Sequence, residues 1–211
     1  MYEKNVTIDM IQWLLNSEAI EDLHLAFFHE TALLMALRAR QDIEVIRLLI
    51  QAGSDVNHQD QHGKTPLMWC AIHHEKDILD LLVQEGADVD VQDDTGCTAL
   101  MYLAQDGCVE MIQSLMQKPL NLNLQTHRGY SALMIAANRA QTDVVRWLIQ
   151  EGADMEQTNS EGQTAYDIAH QAGHNETAKV LRAFMEEKRF KNIVDGSQTT
   201  VLSQVTTRFR L

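Results

Sequence analysis

Nine histidines run through this chain of 211 residues, and the densest group of metal donors is His73-His74-Glu75. Two imidazoles and a carboxylate have the right ligand chemistry for zinc. Their spacing is wrong: a helical zinc site sets its histidines four residues apart, as in HExxH, so that both project from one face. The sulfur ligands fail on similar grounds. Cys70, Cys97 and Cys108 are odd in number and form no CxxC pair, so neither a disulfide framework nor a zinc site is indicated. Met68, Met101 and Met134 recur at a stagger of 33 residues, which does not guarantee the convergence a soft metal needs, and they read as polarizable core side chains. There is no GxSxG elbow, no phosphate-binding glycine loop and no Cys-His pair with supporting context. The sequence therefore offers no catalytic residue, no metal site and no cofactor.

What it offers instead is a period. Thr65-Pro66-Leu67-Met68, Thr98-Ala99-Leu100-Met101, Ser131-Ala132-Leu133-Met134 and Thr164-Ala165-Tyr166-Asp167 each begin 33 residues after the last. Gly63, Gly96, Gly129 and Gly162 precede these blocks by two residues, and Leu49, Leu82, Leu115 and Leu148 keep one register. A fixed interval of this length marks a stacked solenoid, which builds an extended surface rather than a closed pocket. The hydroxyls of Thr65, Thr98, Ser131 and Thr164 suit helix N-caps, and Pro66 sits where a helix tolerates a missing N–H. Gly53, Gly86 and Gly152 suit the left-handed residue that ends a helix. Between these signals Ile78, Leu81 and Leu82, or Val144, Val145 and Leu148, give one apolar stripe per helix, which only a neighbouring unit can cover. Trp69, Tyr102, Ile135 and Ile168 share a register and read as core. Cys70 falls at a small core position of the same repeat.

The blocks resemble the ankyrin repeat, whose 33-residue unit carries a T-P-L-H-x-A signature. Gly53-Ser54-Asp55-Val56-Asn57, Gly86-Ala87-Asp88-Val89-Asp90 and Gly152-Ala153-Asp154-Met155 look like that family's G-A-D-V-N stretch. Five units are counted, over about residues 29–190. The first begins at Thr31-Ala32-Leu33 and holds one extra residue before Gly53, which predicts a longer turn between its two helices. Met68, Met101 and Met134 stand where the family usually has histidine, and His74 replaces a common glycine at the turn between helices. The resemblance implies an all-α ankyrin-repeat solenoid of stacked helix pairs with short β-hairpin-like turns. It also implies that hairpin tips and the exposed side of each first helix form a concave binding face.

On that register the candidate protein-binding residues are Gln61, His62, Lys64 and His73 in the second unit, with Ile72 beside them. Asp94, Thr95, Gln105 and Asp106, with Cys97, hold the equivalent places in the third. His127, Arg128, Tyr130, Asn138 and Arg139 hold them in the fourth, and Ser160 and Glu161, with Gln163, in the fifth. The fourth set carries the best anchor chemistry, because Tyr and Arg are enriched at interface hot spots. The alternative is that these residues are ordinary surface.

Net charge is −13. Lys191, Arg208 and Arg210 outweigh Asp195 after residue 190, so the repeats are more acidic than the whole. Such a surface repels phosphate backbones, which argues against nucleic acid and for a protein partner with a basic surface; the charges may equally do no more than solvate the outer helix faces. The N-terminus lacks the layout of a signal peptide and no stretch is apolar enough to span a membrane. A cytoplasmic monomer is expected, or export as a host-directed effector without a conventional signal peptide. Residues 1–28 are expected to be a helical cap against which Phe27 and Phe28 are buried, the alternative being a contact patch. Residues 191–211 read as a C-terminal tail, with a linker at Gly196-Ser197-Gln198 and then a strand, a docking segment or a disordered end.

The function so implied is a non-enzymatic protein–protein interaction module acting as an adaptor or effector, the alternative being a dedicated inhibitor or immunity-type protein that blocks one enzyme. Within the array the third unit breaks its own pattern. Pro119 stands where Gly53, Gly86 and Gly152 end helices, Ser114 takes the rung of Leu48, Leu81 and Trp147, and Asn121-Leu122-Asn123 replaces the usual start of the next hairpin. A helix that ends differently, within a soft segment over residues 108–123, is expected there.

Overall fold

In a computed structural model of the chain, which describes residues 31–190, every repeat opens on a hydroxyl that closes a helix N-terminus. Thr31 Oγ1 accepts from the Leu34 amide and Thr65 Oγ1 from Met68, both at 3.3 Å. Thr98 and Ser131 cap in the same way, and Thr164 exchanges bonds with Asp167 in a full capping box. Each such cap is worth about 1 kcal/mol. The helices they start and the ones that follow are α1 (Ala32–Arg38), α2 (Ile43–Gln51), α3 (Pro66–His73), α4 (Lys76–Gln84), α5 (Ala99–Asp106), α6 (Val109–Leu115), α7 (Ala132–Asn138), α8 (Thr142–Gln150), α9 (Ala165–Gln171) and α10, residues 175–190.

Helices of seven to nine residues are too short to persist alone, so their stability comes from packing. The inner helices α1, α3, α5, α7 and α9 pack in series, and the outer helices α2, α4, α6 and α8 form a second column behind them. Leu33, Leu67, Leu100 and Leu133 are buried down the inner column, as are Met68, Met101 and Met134. Ile46, Leu79, Ile112 and Val145 fill the outer one. Burying one such side chain contributes about 2 kcal/mol, and each draws half of its cover from the next unit. Cys70 lies in this core. The extra residue of the first unit falls between α1 and α2, which are joined by residues 39–42, whereas α3 and α4 are joined by residues 74–75.

Gly53, Gly86 and Gly152 end outer helices at φ of 90°, 92° and 92°. The third unit has no such residue. Its helix α6 stops at Leu115, and the amides of Met116, Gln117 and Lys118 then reach back three residues, at 3.2, 3.3 and 3.2 Å, in a tightened turn before Pro119. Ser114 is buried; its hydroxyl makes only a long bond to the Glu110 carbonyl, at 3.4 Å. Burial works against ionisation of the neighbouring Asp80, but donors from Lys76 and Ser114 hold its carboxyl below the usual range. Turning toward Asp80 gives the buried Oδ1 of that carboxylate its missing partner. The short helix and polar rung predict faster amide exchange over residues 108–123 than over 75–90 and 141–156. Equal or greater protection in 108–123, read by mass spectrometry, would contradict this.

The proposed cap at residues 1–28, with Phe27 and Phe28, and the tail at residues 191–211 lie outside the described residues. Among the described residues no helix is long and apolar enough to cross a membrane.

Candidate functional site

The hairpin that joins each pair of units is held from inside by one side chain. Asp60 Oδ1 accepts from the amides of His62 (2.8 Å) and Lys64 (2.9 Å), while its Oδ2 accepts from the Trp69 indole (3.2 Å). Asp93 repeats the device 33 residues on. Its Oδ1 accepts from the amides of Thr95 and Cys97 and from the Thr95 hydroxyl, and its Oδ2 from the Tyr102 hydroxyl. Burial alone would raise both carboxyls, but these donors outweigh it and hold Asp60 and Asp93 below the usual carboxylate range. Burial and the facing Asp93 in turn push the Tyr102 hydroxyl up, so it stays a donor. Asn159 does the same work without charge, accepting from Glu161 and Gln163, and Thr126 serves the fourth hairpin with a single bond from Tyr130.

Neighbouring hairpins are tied to one another by three further sets of bonds. The amides of Asp94, His127 and Ser160 donate to the carbonyls of His62, Thr95 and Arg128 at 3.0–3.1 Å. Gln59 Nε2 donates to the Gly63 carbonyl of its own hairpin and the Gln92 carbonyl of the next; Gln92 and Gln125 do likewise. Asn57 and Asn123 each accept an amide from the following unit, Asp88 and Asp154. Gly63, Gly96 and Gly129 let the strands come this close: besides their positive φ, a Cβ on Gly96 would sit 2.8 Å from the His127 nitrogen. The sequence reading named neither these braces nor the glutamine ladder, although Gln59, Gln92 and Gln125 carry the same 33-residue interval.

The result is a stacked row of exposed tips. Gln61, His62, Asp94, Thr95, His127, Arg128, Ser160 and Glu161 are exposed on it, with Lys64 and Tyr130 half-buried behind them. On the adjoining inner helices Asp106, Asn138 and Arg139 are exposed, and His73 and Gln105 are half-buried. Some of these residues meet across units. Lys64 Nζ stands 5.9 Å above the Tyr102 ring, and His74 Nε2 is 3.1 Å from Asp106 Oδ2. Others are brought onto one face without direct contact, Tyr130, Arg128 and Arg139 among them. His73, the last residue of α3, stacks on Trp69 at 5.2 Å and has the Arg40 guanidinium 3.5 Å from Nδ1.

One reading is corrected here. Trp69, Tyr102 and Ile135 are not core: they are half-buried at the seam between hairpins and inner helices, and only Ile168 is buried. Their polar atoms are aimed at Asp60 and Asp93, which no fully enclosed position would allow. Met35, in the same register on α1, is 51% exposed and extends this apolar stripe to the first unit, and the Arg38 guanidinium lies 5.1 Å above the Trp69 ring. Sequence reasoning passed over Met35, Arg38 and Arg40 because the first unit lacks a complete signature block.

Charge is segregated as well. Arg38, Arg40, Lys64, Arg128 and Arg139 bring five cations to this face, with His62, His73, His74 and His127, against the exposed carboxylates Asp94, Asp106 and Glu161. The acidic excess lies elsewhere, on outer helices (Glu44, Asp77, Glu110, Asp143) and on the loops opposite the tips (Asp88, Asp154). The whole-chain charge that pointed to a basic partner therefore does not describe the hairpin face. Among the described residues no three His, Cys, Asp or Glu side chains are grouped to hold a metal ion.

Comparison with known families returns a match to the model described as ankyrin repeats (three copies), over residues 2–93, 77–159 and 100–192. No curated protein matches the chain.

Proposed function

Since this chain belongs to the ankyrin-repeat family, whose repeats are generally protein–protein interaction modules, we propose that it is a non-enzymatic adaptor or effector that binds a protein partner on its hairpin and inner-helix face. The observation that carries this reading is the row of exposed tips, each fixed by hydrogen bonds from its own hairpin and from the next. Side chains on a backbone already held in place lose little further freedom on binding, so contact energy goes into affinity. The fourth unit supplies the anchor. Tyr130 offers a large, half-buried ring with little rotamer entropy to lose, and Arg128 and Arg139 stand exposed on the same face.

Replacing Tyr130 or Arg128 by Ala is expected to weaken the partner by at least about 1 kcal/mol, roughly fivefold in Kd, while the thermal transition stays in place. Calorimetry on the partner recovered by affinity purification measures it. A double variant that binds as tightly as wild type, equally folded, would remove the fourth unit from the site.

A further inference from the structure

We infer that the hairpin face takes an extended acidic protein segment, whose apolar side chains rest on the Met35, Trp69, Tyr102 and Ile135 stripe while its carboxylates meet the cations along both margins; this rests on the binding face proposed above. Two independent features of the face converge on such an occupant. The first is the stripe itself, half-buried rings and one exposed Met running across four units in one register. An apolar row of this kind needs apolar cover, which bare charge does not provide. The second is the placement of cations at the stripe rather than away from it. Arg38 lies over the Trp69 ring, Lys64 over the Tyr102 ring, and Arg40 against His73, which stacks on Trp69. Ring faces hold these cations in defined positions beside the apolar row, so an occupant meets both together.

The geometry also sets its length. Inner helices packed about 9 Å apart match roughly three residues of extended chain per unit, so a segment that crosses the first four units is about ten residues long. Acidic rather than basic character follows from like-charge repulsion: a basic segment would have to lie beside Arg38, Arg40 and Lys64 in a partly desolvated groove. A nucleic acid would satisfy the same cations and rings. It is disfavoured because its phosphates continue past the face toward the acidic outer helices and loops, whereas a short segment ends.

The test uses the full chain to select binders from a random twelve-residue peptide display library, followed by affinity measurement on the synthesised winners. Acidic peptides with interspersed apolar residues are expected, slowing amide exchange in α3, α5 and the hairpins between them. Their affinity should fall at least about tenfold in the double variant Lys64→Glu, Arg128→Glu, and by a similar factor in wild type between low and high salt, a readout that survives if the variant fails to fold. Winners that are basic or neutral yet protect the same face would overturn the acidic occupant and leave the binding face standing. Winners that protect only outer helices would overturn both. A selection that yields no acidic binder, or acidic peptides displaced equally well by a fifteen-nucleotide oligouridylate, would also overturn the inference.

Discussion

Replacing Gly96 by alanine should destabilise the chain by about 3 kcal/mol, while the same change at Gly162 should cost only about 1 kcal/mol. The two positions share a register and nearly the same backbone, at φ of 80° and 75°. Left-handed strain is therefore common to both. At Gly96 a Cβ would also stand 2.8 Å from the His127 nitrogen and 2.9 Å from Thr126 Cα, which forces the third and fourth hairpins apart and breaks the 3.1 Å bond from the His127 amide to the Thr95 carbonyl. At Gly162 nothing lies within 4 Å. Urea denaturation of the two variants measures the difference. Equal losses would mean that the hairpins are not stacked as described.

Removing the carboxylate of Asp93 is the second large effect. Asp93→Ala leaves the Thr95 and Cys97 amides and the buried end of Tyr102 without their acceptor, and a loss of about 3 kcal/mol is expected. Asp93→Asn should lose only about 1 kcal/mol, because Asn159 already shows that an amide oxygen can hold this hairpin. The same carboxylates make stability depend on acid. Asp60, Asp93 and Asp167 have folded pKa values below the usual range, the first two despite burial and the third through the Thr164 hydroxyl and amide. The unfolded chain titrates near a pKa of about 3.9, so as pH falls past that value it takes up protons that the folded chain refuses. Their contribution is complete above the unfolded value and is lost as pH falls through the folded one. The urea midpoint of wild type should therefore drop steeply below about pH 4, and Asp93→Asn should flatten that limb. An acid limb of unchanged slope in the variant would contradict the assigned role of Asp93.

The repeat was legible because each unit must restate the same local physics. Thr65, Thr98 and Ser131 cap because every inner helix needs a cap, and Gly53 and Gly86 recur because every regular outer helix needs a left-handed exit. A break in that logic was equally legible: Ser114 and Pro119 mark the helix that stops at Leu115. Relations between units were not. Whether Trp69 is core or seam depends on where Asp60 and the Arg38 guanidinium fall, and neither position follows from a periodic string. Net charge hid the face for a related reason. A single total cannot say that Glu110 and Asp143 look outward while Lys64 and Arg128 sit among the tips. The first unit gave up its contribution last, since Met35 and Arg38 lie in a block without the signature threonine-proline pair.

The most direct measurement of where this protein binds is amide hydrogen exchange of the full chain, alone and saturated with the partner recovered by affinity purification. Binding at the hairpin face predicts slower exchange at residues 61–64, 94–97 and 127–130 and along α3, α5 and α7, with α4, α6 and α8 unchanged. Slowing confined to α4, α6 and α8, with the hairpins exchanging as in the free chain, would contradict it.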